Sequence, residues 1–131
     1  MRWLTDTNVL SELVRPRPNP GVVAWARGLE RLTISVITLE EITFGLSWKP
    51  NARVHEWFAQ FLAEACDVLP ITKEIAERGG VLRGNLRAVG VTTSQADMLI
   101  AATAQVHELT LVTRNVRDFA ECRIAVLNPF E

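Results

Sequence analysis

Short apolar segments alternate with longer segments of helical periodicity along the whole chain. The strand-like runs cover residues 2–5, 32–37, 68–71, 109–113 and 123–127, and the helical patterns cover residues 8–14, 20–30, 38–46, 52–66, 72–88 and 94–107. This alternation predicts an α/β fold with a central parallel sheet and helices on both faces. Right-handed crossovers then bring the carboxyl ends of the strands to one edge of the sheet. With 131 residues, the chain 1–131 is expected to form a single domain.

Acidic residues follow the predicted strands. Asp6 comes directly after the first apolar run, Glu41 follows the second, and Asp118 follows the run 109–113. Asp97 stands near the start of the helix 94–107, just before a nearly continuous apolar stretch. We expect all four at the edge where open α/β sheets bind ligands. Carboxylates crowded there repel each other and partial burial raises their pKa, so the set predicts a divalent-metal site.

A second interpretation of the same acids is helix capping. Glu41 and Asp97 each stand three residues after a threonine or serine, which is the spacing of a capping box, and Asp118 stands three residues after Asn115. Taken singly, each acid is explained better as part of a cap than as a ligand. Four acids at one sheet edge crowd negative charge, however, and this favours the metal site.

The ligand types restrict the chemistry of such a site. Oxygen donors suit Mg²⁺ or Mn²⁺, and the sequence has no grouping of cysteines and histidines for zinc. Neither a P-loop nor a nucleophile elbow is present, and Cys66 and Cys122 have no metal-binding or redox spacing. An all-carboxylate site without a protein nucleophile is suited to activating water for attack on a phosphodiester. Arg114, next to the acids, could contact a phosphate or could simply be a surface arginine.

The amino-acid composition gives little information about function. Lysine plus arginine number 14 against 15 acidic residues, so the net charge of -1 does not itself indicate a nucleic-acid partner. All basic residues except Lys49 and Lys73 are arginines, which suits phosphate binding but also results from a high genomic G+C content. No leader sequence and no membrane-spanning apolar run are apparent. A cytoplasmic protein without membrane association is expected.

Four motifs in order resemble a known family. They are residues 4–12, 35–42, 96–104 and 111–119, and the closing residues 128–130 add to the likeness. Together they resemble the PIN-domain ribonucleases, and most of all the VapC-type toxins of bacterial toxin–antitoxin pairs, including the FitB-like branch. The resemblance covers essentially the whole chain. No single motif is specific, but the four in order are strong support for the resemblance.

The resemblance implies a three-layer α/β/α fold and an endoribonuclease toxin that cleaves RNA with Mg²⁺ or Mn²⁺. It places metal-binding, catalytic acids at Asp6, Glu41 and Asp97. The fourth ligand stays open between Asp118 and Asn115, whose amide oxygen could coordinate without charge. A small antitoxin protein and a homodimer are the implied partners.

Other functions stay open at this point. One is a PIN-like module that binds RNA or protein without activity, and another is a different metal-dependent phosphoester hydrolase. A receiver-like phosphoacceptor also gathers acids at strand ends, but it requires a late lysine and none follows Lys73.

Tryptophans in the first half of the chain suggest where a partner binds. Trp48 is predicted to lie in a turn and Trp25 on a helix, and exposed tryptophans often anchor interfaces. We expect the antitoxin to cover the helices near residues 8–30 and 52–66, and a basic side chain of the antitoxin to reach the acidic site.

Overall fold

The computed structural model describes residues 2–130, and strands and helices alternate there as predicted. The strands are β1 (Trp3–Thr5), β2 (Leu32–Ser35), β3 (Cys66–Leu69), β4 (Thr110–Val112) and β5 (Val126–Leu127). The helices are α1 (Thr7–Leu13), α2 (Pro20–Arg27), α3 (Val36–Trp48), α4 (Ala52–Glu64), α5 (Lys73–Ala88) and α6 (Gln95–His107), and a 3-10 turn covers Val116–Phe119.

The strand pairing is parallel throughout the described ladders. Hydrogen bonds join β1, β4 and β5 in that order, and they join β2 to β3 in a second ladder. Strand β1 packs beside β2, so the two ladders lie edge to edge. The carboxyl ends of β1 and β4 are adjacent, because Thr5 is in register with Val112. The predicted parallel sheet is therefore confirmed, with a break in its hydrogen bonding between β1 and β2.

Alternation along the strands divides the core between two faces of the sheet. Leu4 and Leu111 are in register and pack with α6 and the 3-10 turn in one apolar cluster. Val112, the next residue along β4, packs on the other face with Val9 of α1 and Val22 of α2. Successive residues of a strand point to opposite faces, so helices cover both sides. This is the expected three-layer α/β/α arrangement.

Side-chain caps set the starts of most helices. Asn19, Thr72 and Ser94 cap α2, α5 and α6, because each side chain accepts a hydrogen bond from a backbone N–H of the first turn. The predicted cap at Thr38 is wrong. Ser35 accepts from the Ile37 N–H at 3.0 Å and starts α3 at residue 36, which shortens the predicted strand 32–37.

Further boundaries also differ from the sequence expectation, among them the start of α1 and the extent of the last strand. Helix α1 starts at residue 7 rather than residue 8, and its cap is Asp6, whose extended backbone ends β1 and whose carboxylate accepts from the Thr7 N–H. The predicted strand 123–127 is reduced to two residues. Arg123 has a φ of 54°, a left-handed backbone conformation that cannot continue a strand.

Two smaller expectations concern the thiols and membrane association. Cys66 and Cys122 are both buried and unbridged. Between residues 2 and 130 the helices are too short or too polar to cross a bilayer.

Candidate active site

Asp6 is the buried centre of the site, at the junction of β1 and α1. Asp6 is only 5% exposed to solvent. Oδ1 accepts a hydrogen bond from the Thr7 N–H at 2.8 Å, and Oδ2 accepts from the Thr113 hydroxyl at 2.7 Å and from Asn8 Nδ2 at 3.3 Å. Burial raises the pKa of Asp6, while these three hydrogen bonds act in the opposite direction.

Hydrogen bonds join the loop after β4 to the loop after β1. Asn8 Oδ1 accepts from the Arg114 N–H at 3.0 Å, and its amide nitrogen donates to Thr113 Oγ1 at 3.3 Å. Thr113 Oγ1 also accepts from the Asn115 N–H at 3.0 Å. Parallel pairing of β1 with β4 makes this possible, because it sets the two loops side by side.

Glu41 joins the site through a threonine. It is half-buried on α3, and its Oε1 accepts the Thr7 hydroxyl at 2.6 Å. Thr7 Oγ1 also lies 3.1 Å from the hydroxyl of Thr38. The capping-box interpretation of Glu41 is wrong, because Thr38 lies inside α3 and not at its start. The carboxylate is turned toward Thr7 and the end of β1, while the neighbouring Glu40 is exposed.

Asp97 and Asp118 complete the acidic group. Asp97 is half-buried in the first turn of α6, and its N–H donates to the Ser94 side chain at 3.0 Å. Its pKa is raised, first by burial and then by the negative charges of Asp6, Asp118 and Glu41. Asp118 is exposed on the 3-10 turn, and its charge also raises the pKa of Asp6. The charges of the other three predicted acids therefore all reach Asp97, and that of Asp118 also reaches Asp6.

Asn115 differs from the acids. It is exposed, and its side chain does not cap the 3-10 turn that follows it. The predicted similarity of Asn115-x-x-Asp118 to a capping box is therefore wrong. Asn115 is fixed through its backbone N–H, which donates to Thr113 Oγ1, and the residue is exposed next to the site.

The donor set fits a hard divalent cation that retains water. Among the residues that the structure describes, no three acidic, histidine or cysteine side chains stand close enough to hold one ion as they are. Mg²⁺ commonly takes only one or two carboxylates and keeps several waters. The mutual repulsion of Asp6, Asp97 and Asp118 is the penalty that such an ion removes. Both histidines are exposed, His55 on α4 and His107 at the end of α6.

Sequence reasoning missed the hydroxyl and amide groups that hold the acids. Thr113 is completely buried and binds Asp6, Thr7 binds Glu41, and Asn8 links the two loops. A signal was available: Asp6-Thr7-Asn8 and Thr113-Arg114-Asn115 each follow an apolar strand. Only the pairing of β1 with β4 shows that these two triplets interact.

Glu12, which lies in the first motif, has a structural role. It is buried, and its Oε2 accepts from the Asn19 N–H at 2.8 Å while Oε1 pairs with Arg15 at 3.3 Å. It fixes the connection between α1 and α2 and lies outside the acidic group.

Comparison with known proteins identifies the family and the fold. A sequence model of the PIN domain matches residues 4–124. Toxin FitB of Neisseria gonorrhoeae is 36% identical over 97% of both chains, and VapC ribonuclease Y4jK of Sinorhizobium fredii is 34% identical over 96% of both. The structure of FitAcB from Neisseria gonorrhoeae superimposes with a TM-score of 0.83 at 36% identity over 97% of each chain. DNA-bound VapBC from Salmonella typhimurium gives a TM-score of 0.84 at 25% identity over 98% of each chain. The expected resemblance is thus confirmed in both sequence and fold.

Proposed function

Because the chain belongs to the PIN-domain family, we propose that it is a metal-dependent endoribonuclease that acts as the toxin of a toxin–antitoxin pair. The observation that carries this proposal is the group of carboxylates beside the carboxyl ends of parallel strands, where the charge of Asp118 raises the pKa of both Asp6 and Asp97. The names of relatives support it, since two of them are called VapC ribonuclease Y4jK and tRNA(fMet)-specific endonuclease VapC. RNA is the proposed substrate.

Asp6, Glu41 and Asp97 would hold Mg²⁺ or Mn²⁺, with Asp118 or Asn115 as the fourth ligand. When bound, the ion supplies positive charge that activates a water molecule and stabilises the phosphate oxygens of the cleaved bond. The chain's own residues prepare this site. Thr113 and the Thr7 N–H orient the two oxygens of Asp6.

The Thr7 hydroxyl orients Glu41 by donating a hydrogen bond to its Oε1. Since hydroxyl and N–H donors already occupy part of each carboxylate, the remaining lone pairs face a defined direction. Burial of Asp6 in a site of low dielectric strengthens its attraction for a cation.

Cleavage of RNA by matched variants tests the proposal. With Mg²⁺ or Mn²⁺ present, the parent protein should cleave single-stranded RNA, and Asp6→Asn and Asp97→Asn should lose activity by about a hundredfold or more. Glu41→Gln should also be impaired. Glu40→Gln is the matched control, because Glu40 is the exposed neighbour on the same helix and should keep parental activity. Cleavage that proceeds equally in Asp6→Asn and the parent would reject the nuclease site.

We also propose an antitoxin partner, because several structural neighbours are toxin–antitoxin complexes, including FitAcB and VapBC. The exposed aromatic pair Phe44 and Trp48, 62% and 69% exposed, lies at the end of α3 with ring centroids 6.3 Å apart. The neighbouring α3–α4 cleft has a volume of about 270 Å³, and its apolar lining is contributed chiefly by Leu46, Phe58 and Leu62. This aromatic pair and cleft form the proposed antitoxin surface.

This surface corrects part of the sequence expectation. Trp48 is exposed as expected, but it ends α3 and does not lie in a turn. Trp25 is not an exposed anchor: it is half-buried and packs edge-on against Trp3 with ring centroids 6.1 Å apart. The docking surface therefore shifts from α2 toward α3 and α4. The homodimer, the cytoplasmic location and the basic antitoxin side chain at the acidic site stay predictions.

A further inference from the structure

Arg114 is fixed beside the acidic group by its backbone. Its N–H donates to Asn8 Oδ1 at 3.0 Å, and the preceding Thr113 donates its hydroxyl to Asp6. The residue is exposed, so its side chain reaches solvent from a main chain that is tied to the buried centre of the site. An arginine in this position can contact a molecule that approaches the acids.

The side chain of Arg114 rests on an aromatic ring from the end of the chain. Its Cζ lies 4.8 Å from the centroid of Phe130, within the range of a cation–π contact. Phe130 is itself held, because its N–H donates to Asn128 Oδ1 at 2.9 Å and its ring packs with the cluster that contains Val112. The intervening Pro129 is buried. The last residues thus form a platform that restricts the guanidinium.

The hydrogen-bonding groups of Arg114 are available to a ligand. Within residues 2–130, the ion pairs of arginine are Arg15 with Glu12 and Arg31 with Asp67, and Arg114 has none. Stacking on a ring uses the face of the guanidinium and leaves the N–H groups at its edge free. A planar cation with a fixed orientation is suited to binding two oxygens of one phosphate.

Arg114 is nevertheless separate from the metal-binding carboxylates. The Phe130 ring on which its guanidinium rests packs with Val112 and α1 on one face of the sheet, whereas α6, which carries Asp97, packs on the other face. The guanidinium therefore lies to one side of the acids, where the next phosphate along an RNA strand is a suitable partner.

We propose that Arg114, oriented by Phe130, binds a backbone phosphate of the RNA adjacent to the phosphate that is cleaved. This inference rests on the proposed nuclease function and adds a substrate-binding residue to it. Phe130 acts through Arg114 and is a positioning residue. The arrangement gives the terminal segment 128–130 a role in binding RNA in addition to packing.

The test measures binding of a mixed-sequence single-stranded oligoribonucleotide in EDTA, where cleavage is prevented, across a range of salt concentrations. Arg114→Ala should weaken binding by about threefold to tenfold, and it should reduce the slope of log affinity against log salt by about 0.7, the contribution of one phosphate contact on a single strand. Arg114→Lys keeps the charge and should retain the slope while losing part of the affinity. Arg78→Ala is the control and should keep parental affinity and slope. Arg78 lines a cleft with Thr110, which starts β4, whereas Thr113 follows the other end of that strand.

Variants of Phe130 separate positioning from packing. Phe130→Leu keeps an apolar side chain in its cluster but removes the ring, and it should lose part of the affinity that Arg114→Ala loses. Phe130→Trp restores an aromatic face and should recover most of that loss. The double variant Arg114→Ala/Phe130→Leu should bind like Arg114→Ala, because Phe130 acts only through the arginine. Additive losses in the double variant would overturn the positioning role, and thermal melting checks that each variant is folded.

Cleavage in Mg²⁺ distinguishes this inference from the proposed function. Arg114→Ala should raise KM and leave kcat within about twofold, because the contact is made equally in the ground state and the transition state. A fall in kcat with unchanged KM would place Arg114 at the cleaved phosphate and overturn the assignment. If the parent cleaves RNA and Arg114→Ala matches it in binding and in KM, this inference alone fails. If the parent neither binds nor cleaves RNA, the proposed function fails and this inference with it.

Discussion

The hydroxyl of Thr113 donates a hydrogen bond of 2.7 Å to the carboxylate of Asp6, across 107 residues of sequence. Both residues are buried, and each directly follows a strand of the same parallel ladder. The bond fixes the central acid of the site relative to the loop that carries Arg114 and Asn115. The geometry of the site therefore depends on the pairing of β1 with β4 in the sheet.

Replacing Thr113 with valine should destabilise the protein as well as impair cleavage. A hydrogen bond to a charged group contributes about 2 kcal/mol, so Thr113→Val should lower the free energy of unfolding by about that amount in urea. Thr103→Val is the control, since that buried hydroxyl only donates to the Leu99 carbonyl within α6. Its loss should cost less than about 1 kcal/mol. Equal losses in the two variants would contradict a special role for the Thr113–Asp6 bond.

Mg²⁺ should raise the melting temperature of the parent, because it binds the folded acidic group and not the unfolded chain. At a hundred times its dissociation constant the gain is about 2.7 kcal/mol. Asp97→Asn should reduce this shift, Glu40→Gln should retain it, and EDTA should reverse it. A melting temperature that does not change during a Mg²⁺ titration would count against a metal site in the free protein.

Asp118 should matter more for activity than Asn115. The charge of Asp118 acts on both Asp6 and Asp97, whereas Asn115 is tied only through its backbone N–H. We expect Asp118→Ala to lower kcat/KM by at least about tenfold more than Asn115→Ala, since a carboxylate attracts Mg²⁺ more strongly than an amide. If Asn115→Ala is the more damaging change, the fourth ligand is Asn115.

Binding of the cognate antitoxin should depend on the aromatic pair of α3. Phe44→Ala and Trp48→Ala should each weaken the complex by about tenfold or more, as is common for aromatic anchors, without changing nuclease activity. Val89→Ala is the control, because Val89 is an apolar residue 73% exposed at the end of α5. Parental affinity in both aromatic variants would place the antitoxin elsewhere. Trp25→Ala should instead lower stability, because it removes a packed ring.

Alkylation of Cys66 should require an unusually high pH in the folded protein. Burial, and to a lesser extent the charge of Asp67, raises the pKa of this thiol to about 11. Since only the thiolate reacts, the pH at which alkylation reaches half its maximal rate should move upward by about two units on folding. Peptide mapping after iodoacetamide treatment, with and without urea, measures this shift for Cys66 alone. Reaction at the same pH in both states would contradict it.

Much of the site was visible in the sequence because its acids occupy regular places. Asp6 follows a short apolar strand, and Asp97 follows a serine that caps a helix, so both could be placed at the carboxyl edge of a parallel sheet. Their electrostatic interaction follows from that placement. The interpretation of Glu41 as part of a cap was wrong, because Ser35 caps α3. Serine and threonine are both good caps, so the sequence alone does not show whether the helix starts after Ser35 or after Thr38.

The sequence by itself determined the fold class, the order of elements and the identity of the acids, since these depend on local periodicity and on residue type. Tertiary structure alone decided which polar groups hold those acids and where the aromatic residues lie. Thr113 reaches Asp6 only because β1 and β4 are neighbours, and Phe130 reaches Arg114 only because the last residues fold back on the sheet. Trp25 and Trp48 are the same residue type on helices that follow each other along the chain, yet one packs against Trp3 and the other is exposed. Such contacts join residues far apart in the chain, and no local pattern specifies them.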